Sequence, residues 1–340
     1  ITGLSPEAFT EAAKRFINAD SRLIALTVGA AENQKGYETV VSAANLLMLL
    51  GEGPDALQVP SDYSNTLGAW LVGTRPAEGG KDLYEMLYNP GSLKALYVMG
   101  EDPVVTMPEA NTIKENLEGL EFLVVQDIRL SETAKLADVV LPAAAWSEKE
   151  GTFINSQGIP QPFPKVVSPA GDAVPDWQIL RNLARVMEHD LGVIELNTLR
   201  EEIASIEVDR GQQKWRYRPV TQPQFEFTHQ QYPILMVTGN IMQHSGALSV
   251  MSKSLSHVLS DAFVQISPED AKKYNISDGE FIKITSPFSE VFIKARVSDE
   301  IPEGMLFVPV HFAHARVNSL VSCPKTGTAH PTPVKIEPSH

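Results

Sequence analysis

The sequence predicts an α/β domain built on a doubly wound, mostly parallel sheet, followed by a β-barrel domain. Three observations lead there. Short apolar runs at 22–28, 94–99, 121–126 and 138–142 alternate with helical patterns, the order that builds parallel sheets covered on their faces. A polar connection at 193–230 then interrupts the alternation. Beyond it, runs at 233–239, 263–267, 280–286, 290–297 and 304–312 are strand-like, with a single short helix among them. The expected division is 1–195 for the α/β domain, 196–226 for a linker and 227–340 for the barrel domain.

The elements follow in order. Ser5 suits an N-cap and Pro6 the first helical position, and Phe9, Ala12, Ala13, Phe16 and Ile17 share one face of the helix that follows. The run 22–28 reads as a buried strand ending at Gly29, and 37–51 as a helix stopped by Gly51. Residues 52–80 are rich in Gly, Pro, Asp and Ser and read as a long functional loop. A helix is expected over 175–192, with Trp177, Leu180, Ala184 and Met187 on one face and Gly192 at its end. In the second half, Phe292, Lys294 and Arg296 alternate with Val291, Ile293, Ala295 and Val297, the period of a half-buried strand. Ser267 caps the short helix there, Pro268 opens it, and Glu269 and Asp270 complement its dipole.

Composition narrows the function. The 340 residues carry 28 basic against 42 acidic side chains, a net charge of −14, which argues against a nucleic-acid or acidic-membrane surface. No run of about 20 apolar residues suggests a membrane span, and the opening residues lack the pattern of a secretory leader. The start without Met suggests a processed chain or a piece of a larger one. The one cysteine, Cys323, excludes an internal disulfide framework and an iron–sulfur cluster held by this chain alone.

Ligands of parallel sheets bind at the carboxyl ends of the strands. Here those ends carry the loops 29–36, 100–103, 126–127 and 143–156, which are polar and rich in glycine and carboxylates. Glycine lets backbone N–H groups approach a phosphate, and a carboxylate can read a guanine or ribose edge. The competing reading is that these glycines and prolines only end strands. No G-x-G-x-x-G fingerprint and no G-x-S-x-G elbow is present. His311 and His314 lack further metal ligands nearby, and Glu148 and Glu150 read as a solvated face. No catalytic and no metal-ligating residue is assigned.

The segments "ALYVMGEDP" and "FLVVQDIRLSETAKLADVVLPAAAWSEKEGTFINS" closely resemble the molybdopterin oxidoreductase superfamily. "QISPEDAKKYNISDGEFIKITS" and "VPVHFAHARVNSL" independently resemble the molybdopterin-dinucleotide-binding domain of such chains, a double-psi β-barrel. The superfamily includes formate dehydrogenases, nitrate reductases and the large iron–sulfur G subunit of bacterial NADH:quinone oxidoreductase. The resemblance implies a molybdopterin guanine dinucleotide held near Gly29, Gly100, Glu101, Asp102, Gln126 and Asp127 of the α/β domain. On the barrel it implies contacts near Thr238, Gly239, His244, Ser245 and Asn318.

Two departures from the family pattern remove positive charge where a diphosphate would lie. Asn240 stands where the phosphate-binding Arg is expected, and Gln157, Gly158 and Ile159 stand where an Arg pair is expected. These departures favour the G-subunit type, in which the cradle persists without the pterin. A formate dehydrogenase-like region holding molybdenum bis-pterin is the next reading, and a stand-alone binding or assembly module the third. The resemblance further implies iron–sulfur clusters only in an N-terminal part lying outside this chain. Its implied partners are those N-terminal domains and other respiratory or dehydrogenase subunits. Its implied location is the cytoplasm, peripheral to the inner membrane through those subunits. The chain alone is expected to be inactive as an oxidoreductase.

Overall fold

Ser5 starts the first helix as its position requires, its hydroxyl accepting a hydrogen bond from the Ala8 amide at 3.2 Å. The structure is a computed structural model that describes residues 3–31, 35–61, 63–189, 191, 195–206, 215–221, 229–323 and 331–339. Two compact units divide the chain. One comprises Ile1–Thr74, Phe153–Gln161 and Arg200–Phe225; the other comprises Arg75–Thr152, Pro162–Leu199 and Glu226–His340. Much of the expected linker, 207–214 and 222–226, lies outside the described residues.

In the first unit, α1 (Pro6–Ile17) leads to β1 (Ile24–Ala25), α2 (Val28–Ala31), α3 (Gly36–Leu49), β2 (Leu57–Gln58) and α4 (Thr66–Leu71). Arg22 donates to the Phe16 and Ile17 carbonyls at the end of α1 and to Glu52 Oε1 at 2.8 Å, so one guanidinium closes a helix and anchors the next turn. The apolar face expected of α1 forms, but none of its residues is buried. The expected strand 22–28 is only two residues long and pairs in parallel with β2 through Ile24 and Leu57. Residues 52–80 are not one loop. They hold a 3-10 turn at Pro54–Ala56, β2 and α4, elements too short to leave a period in the sequence.

The second unit opens with α5 (Leu83–Tyr88), whose capping box joins the Asp82 and Glu85 side chains to each other's amides at 2.8 and 3.2 Å. Then come β3 (Ala95–Met99), α6 (Pro103–Thr106), α7 (Ala110–Glu118), β4 (Phe122–Asp127) and β5 (Val139–Pro142). The three strands form a parallel sheet in the order β3-β4-β5, with Val98 opposite Val125 and Val125 opposite Val140. Leu87, Ile113, Leu117, Leu123 and Val125 make its core. The parallel strands thus fall into two sheets rather than one.

A ribbon of β6 (Gly151–Ile154) and β7 (Pro160–Phe163) follows, then α8 (Asp176–Val186) and α9 (Leu196–Ser205). Helix α8 stops before the expected residue 192: Glu188 turns the chain with φ 61°, and Gly192 lies outside the described residues.

The barrel is closed and has six strands in the order β10-β11-β9-β12-β8-β13. Along the chain these are β8 (Ile234–Gly239), β9 (Phe263–Ile266), β10 (Phe281–Thr285), β11 (Glu290–Val297), β12 (Met305–Pro309) and β13 (Thr332–Pro338). Helices α10 (Lys253–Val258) and α11 (Pro268–Lys273) lie between β8 and β10. Two parallel pairs, β8 with β12 and β9 with β11, sit among antiparallel neighbours, and β13 closes the ring by pairing with β10 and β8. The sequence does not predict β13, because three prolines crowd 331–338; its period is nonetheless two, with Thr332, Val334 and Ile336 buried. In β11 the predicted alternation holds, with Val291, Ile293 and Ala295 inside. Asp270 does more than complement a helix dipole: its Oδ2 accepts from Ser267 Oγ at 2.9 Å and from the Gly304 amide at 2.7 Å.

Candidate functional site

The ends of β3 and β4 place five of the predicted residues side by side. Gly100 leaves β3 with φ +65°, a backbone that favours glycine, and its amide donates to the Gln126 carbonyl at 2.8 Å. Glu101 turns back on its own loop, accepting from the Asp102 amide at 3.0 Å and from Thr106 Oγ1 at 2.7 Å. Asp102 is buried. Its Oδ1 accepts from the amide and the hydroxyl of Thr133 at 2.9 and 2.8 Å, and its Oδ2 from the Glu132 amide and Arg129 Nη2 at 3.3 and 3.2 Å. Four donors therefore saturate a carboxylate that the sequence offers as a ligand-reading group. It fastens the turn after β4 to the turn after β3.

Gln126 is likewise committed inside the fold. Its fully buried amide accepts from the Tyr97 hydroxyl at 2.5 Å and donates to Asp176 Oδ1 at 2.7 Å. Lys149 in turn is ion-paired with Asp176. Burial, and after it the Asp176 carboxylate, raise the Tyr97 pKa above its ordinary value, so the phenol keeps the proton it donates. Asp127 differs from its neighbours. Its Oδ1 accepts from the next amide, Ile128, at 2.7 Å, while Oδ2 has no protein donor among the described residues.

On the barrel, Thr238 and Gly239 end β8, opposite Val308 and Pro309 of β12. A Cβ at Gly239 would come within 3.3 Å of the Phe307 ring, a tight contact that the ring would have to yield to. Asn240 and Ser245 are exposed, and the turn between them is held by paired backbone bonds between Ile241 and His244. His244 is fully buried. Its Nε2 meets the Leu259 carbonyl at 2.9 Å and its Nδ1 the Ser249 hydroxyl at 3.3 Å, so it pins the turn to the residues after α10. Asn318 donates from Nδ2 to the carbonyls of Val105 and Thr106 at 2.7 and 3.2 Å. Gly29 belongs to the other compact unit and lies exposed in α2, with open space where a Cβ would be; residues 32–34 of its loop are outside the described residues.

Sequence reasoning misses the partners: Thr133, Arg129, Tyr97 and Asp176. Thr133 stands in the family-like "SET" string, but nothing in its spacing points to Asp102. The sequence offers His311 only as a metal-ligand candidate. The ring is buried beside His244, at 5.4 Å between centroids, and neither of its nitrogens has a hydrogen-bond partner. Burial, and after it the neighbouring His244, hold its pKa down at about 4. His314 points elsewhere, onto Asp261 at 2.7 Å. Among the described residues no group of three or more His, Cys, Asp or Glu could hold a metal ion.

The position at the exit of β8 is the neutral, exposed Asn240, and Arg129 and Lys149 are each paired with a carboxylate of the fold. The second oxygen of Asp127 is an open acceptor, which suits an N–H edge and repels phosphate.

Comparison with known proteins follows the same outline. The Molybdopterin oxidoreductase profile matches residues 8–186, and that of the Molydopterin dinucleotide binding domain matches 234–335. The alpha subunit of the F420-dependent formate dehydrogenase of Methanocaldococcus jannaschii is 31% identical over 95% of this chain and 58% of its own length. The alpha subunit of the NADPH-Fe(3+) oxidoreductase of Geobacter sulfurreducens is 32% identical over 92% of this chain and 38% of its own. The G 2 subunit of the NADH-quinone oxidoreductase of Rhizobium meliloti is 30% identical over 89% and 40%. The chain thus spans 58% or less of the length of these relatives. Acetylene hydratase from Pelobacter acetylenicus shares the fold, with a TM-score of 0.61 at 16% identity over 75% of this chain and 46% of that one.

Proposed function

The chain belongs to the molybdopterin oxidoreductase family, and from that premise we propose that it is the cradle region of an electron-transfer subunit like the large iron–sulfur G subunit of NADH:quinone oxidoreductase, retaining the fold with little or no pterin dinucleotide. In this reading 1–195 and 227–340 are its two working parts, joined by 196–226. One observation carries it: three of the side chains that would hold the dinucleotide are hydrogen-bonded to other residues of the fold. Asp102 is saturated by Thr133, Glu132 and Arg129, Gln126 accepts from Tyr97 and donates to Asp176, and the Asn318 amide nitrogen donates to the Val105 and Thr106 carbonyls. Neutral Asn240 at the β8 exit supports it further.

Electron transfer itself then belongs to iron–sulfur clusters in the share of the protein that this chain does not span, and the assembly's partners are other respiratory subunits, in the cytoplasm at the inner membrane. No helix among the described residues is long and apolar enough to cross a membrane. The test is the electron donor. NADH should reduce the assembled complex and formate should not; formate-dependent reduction would overturn this reading.

A second reading, a formate dehydrogenase-like alpha subunit holding molybdenum bis-pterin, is favoured by the open oxygen of Asp127 and by the relatives of that name. In it, Asp127 would accept from a guanine edge, and formate would be the donor. A stand-alone assembly module has no specific observation in its favour.

A further inference from the structure

The alternation that builds β11 puts Val291, Ile293 and Ala295 inside the barrel and Phe292, Lys294 and Arg296 outside it. The register of the neighbouring strands sets aromatic rings beside these cations. Lys294 lies opposite Phe281 of β10 on one side and Phe263 of β9 on the other, and Phe292 lies opposite Lys283. The Lys294 ammonium stands 5.4 Å from the centre of the Phe281 ring, and the Arg296 guanidinium 3.8 Å from that of Phe263.

The barrel accounts for only part of this face. Phe263 is buried, but Phe281 and Phe292 are 48% and 54% exposed, and Phe288, in the hairpin between β10 and β11, is 49% exposed. The other bases of the face are paired, Lys283 with Glu290 and Glu337, and Lys335 with Glu337. Lys294 and Arg296 have no carboxylate partner among the described residues. They border a groove of about 310 Å³ with the exposed Val258. The carboxylates of that groove are turned to the fold: Asp261 meets His314 Nε2 at 2.7 Å, and Asp278 accepts from the Val297 amide at 2.9 Å.

Half-exposed rings beside an arginine are the anchors of a protein interface, and charge selects what covers them. Two cations without counter-charge, in a chain of net charge −14, are complementary to carboxylates. A second copy docking by two-fold symmetry would set the same cations against each other. We propose that this face of the barrel docks an acidic segment of another subunit, with carboxylates on Lys294 and Arg296 and an apolar side chain on Phe281 and Phe292. The proposal rests on the reading of this chain as one subunit of a larger oxidoreductase, whichever electron donor that assembly uses.

The test is made on the assembled complex, purified through a tag on this chain, with its subunits counted by native mass spectrometry. A carbodiimide, which joins an amine directly to a carboxylate, should link Lys294 to an Asp or Glu of another subunit. Lys294→Glu combined with Arg296→Glu should weaken retention of that subunit about tenfold or more, and Phe292→Ser severalfold. In the parent, retention should weaken as salt rises. Lys272→Glu, at an exposed lysine of α11, should change nothing. Urea midpoints equal to the parent's guard against a folding defect in each variant. Lys294 linked to no other subunit, or a double variant that keeps every subunit at the parent's ratio, would overturn the proposal. So would a parent that purifies alone or only as copies of this chain. The readout is composition rather than turnover, so a complex reduced by formate would refute the NADH reading without touching this result.

Discussion

The Asn318 side chain donates to the Val105 carbonyl at 2.7 Å, joining the turn after barrel strand β12 to the helix after sheet strand β3. A second bond from the same nitrogen reaches the Thr106 carbonyl, and nearby the Glu109 amide donates to the Val321 carbonyl at 2.9 Å. A residue the sequence offers as a ligand contact is thus a brace within the larger unit.

Asn318→Ala should therefore destabilise the protein even with no ligand present, by about 1–3 kcal/mol, because it strands two inward-facing carbonyls. Asn318→Asp should cost more, since a carboxylate would face two carbonyl oxygens. Urea denaturation reads both. Variants as stable as the parent would return Asn318 to a purely ligand-facing role.

The Asp102 carboxylate is the acceptor for four donors, so its loss leaves the Thr133 hydroxyl and amide and the Arg129 guanidinium without it. Asp102→Ala should cost about 3–5 kcal/mol, and Thr133→Val about 1 kcal/mol. A double-mutant cycle should show coupling between the two positions. Additive effects would mean that the contact contributes nothing.

His311 gives the fold a pH dependence. With its pKa near 4 in the folded protein against about 6.5 when unfolded, the unfolded chain takes the proton first. Stability is complete above about pH 6.5 and falls as the pH drops towards 4, by at most about 3 kcal/mol. His311→Phe should flatten that part of the stability curve measured by urea midpoints from pH 7.5 to 4.5. An unchanged slope would show that other groups set it.

Much of this fold is legible in the residues. Strands β3, β4 and β5, the Ser5 and Ser267 caps and the alternation in β11 all lie where periodicity and capping chemistry put them. What is illegible has physical causes. Two-residue strands such as β1 and β2 leave no period, and the prolines of β13 mask an alternation that pairing to β10 and β8 selects. At the candidate site the residues can be found but not their work. Sequence spacing does not reveal that Thr133 donates to Asp102 or that Tyr97 and Asp176 hold Gln126, because those contacts join the neighbouring strands β3 and β4, the turns after them and α8.

If the cradle persists with its ligand-facing groups committed to other residues of the fold, the protein should carry little of the family's cofactor. The most direct test is the molybdenum and guanosine monophosphate contents of the purified full-length protein, the nucleotide being released by acid hydrolysis. Far less than one equivalent of each per chain is expected. A protein that retains molybdenum with two guanosine monophosphates would contradict the committed cradle and establish the formate dehydrogenase-like reading of the site.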